Sequence, residues 1–183
     1  MLSRNFFSLT LVLTIGLTAA PAEAAVRVAD PVKVRIPALR VEASVQARGT
    51  TAGGFMLPPS TAWNVAWHIH SFRPGELGNA VMYGHLNTRS SSHAVFTNLH
   101  RLRPGNTIVV TDAKNVTRTF KVKKVGQYSR TALPLGEMTG KSTVARLTLY
   151  TCAGTWDRRL GDYSHRFVVF SELVSSMAAG RRL

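Results

Sequence analysis

Apolar and polar residues alternate with a period of two through most of this chain, the mark of half-buried strands. Pro31 to Pro37 alternates apolar and basic residues from a starting proline. Ala38 to Ala47 follows, with Val41, Ala43, Val45 and Ala47 on one face. A turn at Gly49 to Gly54 leads into a short extended piece, Phe55 to Pro59. Val65 to His70 reads as a brief strand or edge, Arg73 to Gly78 as a loop, and Asn79 to Gly84 as a buried strand. Asn87 to Ser92 is a polar loop. Val95, Phe96, Leu99 and Leu102 are apolar at helical spacing, which predicts one or two helical turns over His93 to Leu102, stopped by Arg103-Pro104-Gly105. Thr107 to Thr111 and Thr117 to Val125 are strands flanking a turn at Asp112 to Asn115. Gln127 to Lys141 reads as a loop, Val144 to Cys152 as a strand, Ala153 to His165 as a 13-residue loop, and Arg166 to Leu173 as the final strand. The tail after Val174 is expected to fray. About eight short strands with little helix predict an all-β barrel or sandwich.

The strand Val144 to Cys152 ends on the only cysteine of the chain. Leu147, Leu149 and Thr151 share one face; Thr148, Tyr150 and Cys152 share the other. A thiol on the more polar face, at a strand end, can meet a substrate, whereas a core cysteine would join the leucine row. Free cysteines are nevertheless among the most buried residue types, so position alone leaves a reactive and a structural thiol both open.

Composition narrows the setting. A length of 183 residues suggests one domain, long enough to close a hydrophobic core without disulfides. One cysteine excludes an intrachain bridge and a paired-cysteine zinc motif. The charge is unusual: 23 Lys and Arg against 9 Asp and Glu give +14. Basic runs can bind nucleic acid, but these cations are scattered, apart from Lys121-Val122-Lys123-Lys124, and no nucleic-acid motif accompanies them. Nucleic acid is therefore not an expected partner. Anionic cell-wall polymers or an outer membrane surface suit a basic exported protein better, with a merely solvated basic surface as the bland alternative.

Export is read from the first 24 residues. Arg4 supplies a positive start, Phe6 to Ala20 is mostly apolar, and Ala22-Glu23-Ala24 is an A-x-A cleavage pattern. A spanning helix wants about 20 apolar residues, and this run is shorter and diluted by hydroxyls. A cleaved signal peptide is favoured over an uncleaved anchor, which would give the chain membrane contact; either places the body outside the cytoplasm. The expected organisation is a signal segment over 1–24, a linker and start of the first strand over 25–35, a catalytic domain over 36–174 and a short basic tail over 175–183.

Candidate chemistry gathers at the last two strands. If they pair as an antiparallel hairpin, Cys152 at the end of one faces Arg166 at the start of the other, roughly 5 Å apart at Cβ. A cation there stabilises the thiolate, which is the nucleophile, and guanidinium donors can hold a developing oxyanion. A thiol with an ordinary pKa of about 8.5 is only slightly ionised at neutral pH, so a histidine acting as proton acceptor and donor would help. Six are available: His68, His70, His85, His93, His100 and His165. His85 is best placed, because it follows Gly84 and a strand directly. Any one of them is more often structural than catalytic. His68 and His70 would share a strand face and could touch a metal, but no third ligand stands at a clear spacing.

These residues carry a resemblance. Thr148-Leu149-Tyr150-Thr151-Cys152 resembles the TLxTC motif of the sortases, exported cysteine transpeptidases of mainly Gram-positive bacteria. Val81 to His85 is similar to the family stretch with the catalytic histidine, Phe96 to Gly105 to its following short helix, and Arg166 to Leu173 to its arginine-bearing strand. The likeness spans about Ile36 to Leu173. It implies an eight-stranded sortase-type β-barrel with one or two short helices. It implies Cys152 as nucleophile, His85 as proton donor and acceptor, Arg166 as stabiliser of substrate and oxyanion, and Thr151 as a residue that positions substrate or oxyanion. The implied reaction cleaves an LPXTG-like sorting signal after its threonine, forms an acyl-thioester and passes it to an amine acceptor, such as a peptidoglycan precursor. Size and the short N-terminal arm look more like the class E/F group. Calcium-responsive members use acidic residues that have no equivalent here, so neither metal nor cofactor is expected, and a monomer is. A hydrolase-only peptidase on the same barrel and a non-enzymatic, basic wall-binding module are the competing readings.

Overall fold

The computed structural model describes residues 28–178; the expected signal segment and the last five residues of the basic tail lie outside the described residues. The strands are β1 (Pro31–Ile36), β2 (Val41–Arg48), β3 (Val65–His68), β4 (Gly78–Tyr83), β5 (Thr107–Asp112), β6 (Val116–Ser129), β7 (Ala145–Asp157) and β8 (Asp162–Ala178). They close into a barrel in the order β1-β2-β3-β4-β7-β8-β6-β5, with β5 paired back onto β1. The pairs β2–β3 and β4–β7 are parallel, and the other neighbours are antiparallel. The predicted eight-stranded all-β barrel is what the chain forms.

Alternation decides what fills the barrel. Val34 and Ile36 of β1, Ile108 and Val110 of β5, and Leu147 and Leu149 of β7 point inward and join one buried cluster with Met82 and Phe120. The apolar residues Val95, Phe96, Leu99 and Leu102 close one part of that core. Their spacing predicted helical turns; the chain makes turns and a single 3₁₀ turn, Leu99–Arg101. Four apolar residues must reach the core from a short crossing segment, and that can be met without a full α-helix. The turn expected at Asp112 to Asn115 is present. Asp112 Oδ1 accepts from the amides of Lys114 and Val116, and Oδ2 from Arg118 Nη1 at 2.7 Å, while Asn115 takes a left-handed φ of 58°.

Several boundaries differ from the sequence reading. The segment Ala38 to Ala47 is not one strand: Pro37–Leu39 forms a 3₁₀ turn and Arg40 is left-handed at φ 54° before β2 begins. The strand expected at Thr117 to Val125 runs on to Ser129, and the expected loop after it holds a short helix, α1 (Leu135–Thr139). The tail after Val174 does not fray at once; Ser175 to Ala178 stay paired with β6.

The largest correction concerns the 13-residue loop expected at Ala153 to His165. Both strands extend through it, with Trp156 opposite Tyr163 and Asp157 opposite Asp162. Cys152 is therefore not the last residue of its strand, and Arg166 does not begin its own. The apolar-polar rhythm breaks there because a bulge interrupts the register between Ala153 and Trp156. Gly154 makes the bulge possible. Its φ is 78°, and a Cβ would run into the Ser164 hydroxyl and the His165 ring, with His165 Nδ1 at 2.6 Å.

Candidate active site

Three neighbouring strands, β4, β7 and β8, bring the candidate residues into one row. The parallel register ends with Tyr83 opposite Tyr150; just past it Gly84 is hydrogen-bonded to Tyr150 and Thr151, and His85 and Cys152 open onto the same cleft. On the other side of β7, the antiparallel register places Cys152 directly opposite Arg166, the pairing that the sequence suggested. Neighbouring strands lie about 4.8 Å apart, so all three side chains emerge within one small area at this end of the barrel.

Two local features fix the row. Thr151 is buried, and its Oγ1 donates to the Gly84 carbonyl at 2.8 Å, while the Gly84 amide donates to the Tyr150 carbonyl at 3.3 Å. These bonds clamp the end of β4 to β7 immediately before His85. Gly84 has no room for a side chain: a Cβ there would stand 2.6 Å from Val95 Cγ1 and 2.9 Å from Phe96 Cδ2. Below the row, on the outer face, Tyr83 and Tyr150 stack at 5.3 Å between ring centroids. Tyr83 donates to the Leu57 carbonyl, and burial pushes its phenol up to about 12. The burial of Tyr150, reinforced by Tyr83, raises its phenol as well.

His85 and Cys152 line one cleft of about 490 Å³, together with Leu86, Trp156, Asp162 and Tyr163. The cleft lies between the loop after His85 and the β7–β8 hairpin. Asn87 Nδ2 bridges the two walls by donating to the Tyr163 hydroxyl at 2.7 Å. His85 Nε2 stands 3.4 Å from the Pro59 carbonyl, and its own carbonyl accepts from the Phe96 amide. Cys152 is a free, half-buried thiol. Burial pushes its pKa up; the Arg166 cation pulls it down, and the Asp162 carboxylate pushes it up again. A second, smaller cavity of about 190 Å³ meets the cleft at Leu86 and Cys152 and is lined also by His100 and Gln127.

The other histidines are not gathered here in the same way. His68 and His70 pack edge to face at 5.4 Å, and among the described residues no three metal-ligating side chains converge. The Arg166 guanidinium turns along its own strand: Nη2 meets Asp162 Oδ2 at 2.6 Å, and Nη1 donates to the carbonyls of Tyr163 and His165. Sequence reasoning missed Asp162, Trp156 and Tyr163, because they fell in what read as a loop. The signal was available in Trp156-Asp157 and Asp162-Tyr163, two aromatic–acid pairs that stand opposite each other once the hairpin is zipped.

A family model described as the Sortase domain matches residues 34–174. No curated protein matches the sequence. Several solved structures resemble the fold. Sortase A from Listeria monocytogenes is 19% identical with a TM-score of 0.63, over 85% of this chain and 93% of that one. A lid mutant of sortase A from Corynebacterium diphtheriae is 18% identical with a TM-score of 0.62, over 82% and 73%. Sortase C2 of the Group B Streptococcus Pilus Island 1 is 24% identical with a TM-score of 0.59, over 79% and 73%.

Proposed function

The chain belongs to the sortase family, and on that premise we propose that it is a cysteine transpeptidase using Cys152, His85 and Arg166. The observation that carries this reading is the row itself: adjacent strands β4, β7 and β8 deliver a histidine, a thiol and a guanidinium to one end of the barrel.

The chemistry follows from the groups. The Cys152 thiol rests protonated, since burial holds its pKa up. As a substrate carbonyl enters the cleft, the proton passes to His85 and the sulfur attacks the carbonyl carbon. The oxyanion that forms is met by Arg166, a planar donor with permanent charge. Collapse breaks the C–N bond, and the proton on His85 leaves with the amine. The thioester on Cys152 is then attacked by an acceptor amine, which gives its proton to His85 and releases the thiol. Thr151 contributes by position, holding the strand ends that carry His85 and Cys152 in register.

The substrate proposed is a protein with an LPXTG-like sorting signal, and the acceptor an amine of the cell wall such as a peptidoglycan precursor. Members of the family are typically cell-surface enzymes; export of this chain is proposed from Arg4, the apolar run and Ala22-Glu23-Ala24. It is proposed to act as a monomer, without metal or cofactor. Incubation with an LPXTG-like peptide library and glycinamide, followed by mass spectrometry, tests the reading. The amide adduct of the peptide's threonine is expected. Free acid alone would assign a hydrolase instead, and no Cys152-dependent cleavage would favour the wall-binding module.

A further inference from the structure

We infer that Asp162 is a positioning residue for Arg166: its carboxylate holds one end of the guanidinium, so that the cation stands beside Cys152 in a single orientation. Part of this rests on the proposed reaction, and part does not. The geometry is specific. Arg166 Nη2 donates to Asp162 Oδ2 at 2.6 Å, and Nη1 donates to the Tyr163 and His165 carbonyls at 3.0 Å each. Both terminal nitrogens are thus held by the hairpin, and the Arg166 side chain is only 16% exposed. Asp162 is itself fixed, with Oδ1 accepting from the Tyr163 amide at 2.7 Å.

This contact is not the ordinary product of strand geometry. Residues four apart on a flat strand are separated by about 13 Å, beyond the reach of a simple side-by-side pair. The Arg166 side chain therefore lies back along its own strand to reach Asp162, at the level where the facing strand β7 carries the bulge after Ala153. Gly154, whose missing Cβ leaves room for Ser164 and His165, allows the close approach. The ion pair and the two carbonyls are what orient Arg166.

The pair also sets the charge around the nucleophile. The groups facing Asp162 are Arg166 on its own strand, Asp157 directly opposite and Cys152 farther along on β7, Arg130 past the end of β6, and His85 and Arg89 across the cleft. The carboxylate offsets part of the Arg166 charge at the sulfur and so adds to the larger effect of burial, which keeps the thiol pKa raised. An incoming carbonyl that develops negative charge then has a cation already aimed beside it.

The test compares wild type with Asp162→Asn, which keeps an acceptor oxygen for the Tyr163 amide. Asp162→Ser keeps one too and serves as a second variant. Two readouts are taken: turnover of an LPXTG-like peptide with glycinamide, and the pH profile of Cys152 alkylation by iodoacetamide. Loss of a charge-assisted hydrogen bond predicts a fall in kcat of roughly ten- to a hundredfold with KM little changed. In an Arg166→Ala background the same substitution is expected to change kcat by less than about twofold. The alkylation profile is expected to move to lower pH in both Asp162 variants. An unchanged kcat, an equal loss in both backgrounds, or a profile that stays in place would overturn the inference. If wild type does not turn over peptide, the transpeptidase reading fails, while the alkylation profile still decides the role of Asp162.

Discussion

The Thr151 hydroxyl donates to the Gly84 carbonyl at 2.8 Å, and this bond joins the strand that carries Cys152 to the strand end that delivers His85. Thr151→Val keeps the shape and removes the donor, leaving the buried carbonyl unpaired. Such a loss costs about 1–3 kcal/mol. The variant is expected to melt earlier and to lose turnover beyond what its folded fraction explains. Thermal melts and initial rates on the same sample check this.

Gly84→Ala is expected to fail in the same direction by a different route. The added methyl meets Val95 and Phe96, both in the packed core. Overpacking of this kind costs about 1–3 kcal/mol, and relief would displace the residue next in sequence, His85. Activity falling more steeply than stability, measured by urea titration beside kinetics, is the predicted result.

Burial raises the Cys152 pKa, so iodoacetamide labelling of the native protein should climb at higher pH than labelling of the same protein in denaturant. The sign for stability follows. The folded thiol keeps a proton that the unfolded thiol gives up. Its contribution is fully present below the ordinary thiol range and is lost as pH rises through the raised value in the fold. Paired pH series, native and denatured, measure the offset directly.

Asp112 supplies the acid-side counterpart, away from the cleft. Burial works to raise its pKa, but the bond from Arg118 and the amides of Val116 and Lys114 outweigh it, and the net shift is downward. Its stabilisation is therefore present above the ordinary carboxylate range and lost as pH falls through the depressed value. Removing one partner of a buried ion pair costs about 3–5 kcal/mol. Asp112→Ala should lower the unfolding free energy obtained from urea titration by about that much near neutral pH, less under acid conditions, and leave kcat of the folded fraction unchanged.

The sequence revealed the β7–β8 pairing because the two segments are consecutive and joined by a single connection, for which an antiparallel hairpin is the economical arrangement. It revealed the inward face of β7 because Leu147 and Leu149 alternate with Thr148 and Tyr150. What it hid were non-local and irregular features. The parallel pairing of β4 with β7, whose ends lead to His85 and Cys152 in one cleft, joins segments more than 60 residues apart, and no local pattern encodes it. From local pattern His85 could be singled out only as the histidine after a buried strand and a glycine; the family resemblance of Val81 to His85 was the second pointer. The extension of the hairpin was masked by Gly154 and by the charged run from Asp157 to Arg159, so Asp162 was passed over together with the cleft wall it forms.

Arg166→Lys keeps a charge beside Cys152 and loses the planar fork that Tyr163, His165 and Asp162 hold. Turnover is expected to fall on the order of 100- to 1,000-fold, while Cys152 remains open to alkylation. Arg158 and Arg159, exposed in the turn between β7 and β8, are the controls, and their lysine variants should keep near-normal rates.

The central claim is that Cys152 carries the acyl group. Its most direct test is rapid acid quenching of the protein with an LPXTG-like peptide in the absence of added amine, followed by intact mass and peptide mapping. The account predicts a mass increase equal to the peptide up to its threonine, located on the peptide containing Cys152, discharged by added glycinamide and missing from Cys152→Ala. Turnover of peptide by the Cys152→Ala protein, or an adduct mapped to any other residue, would contradict it.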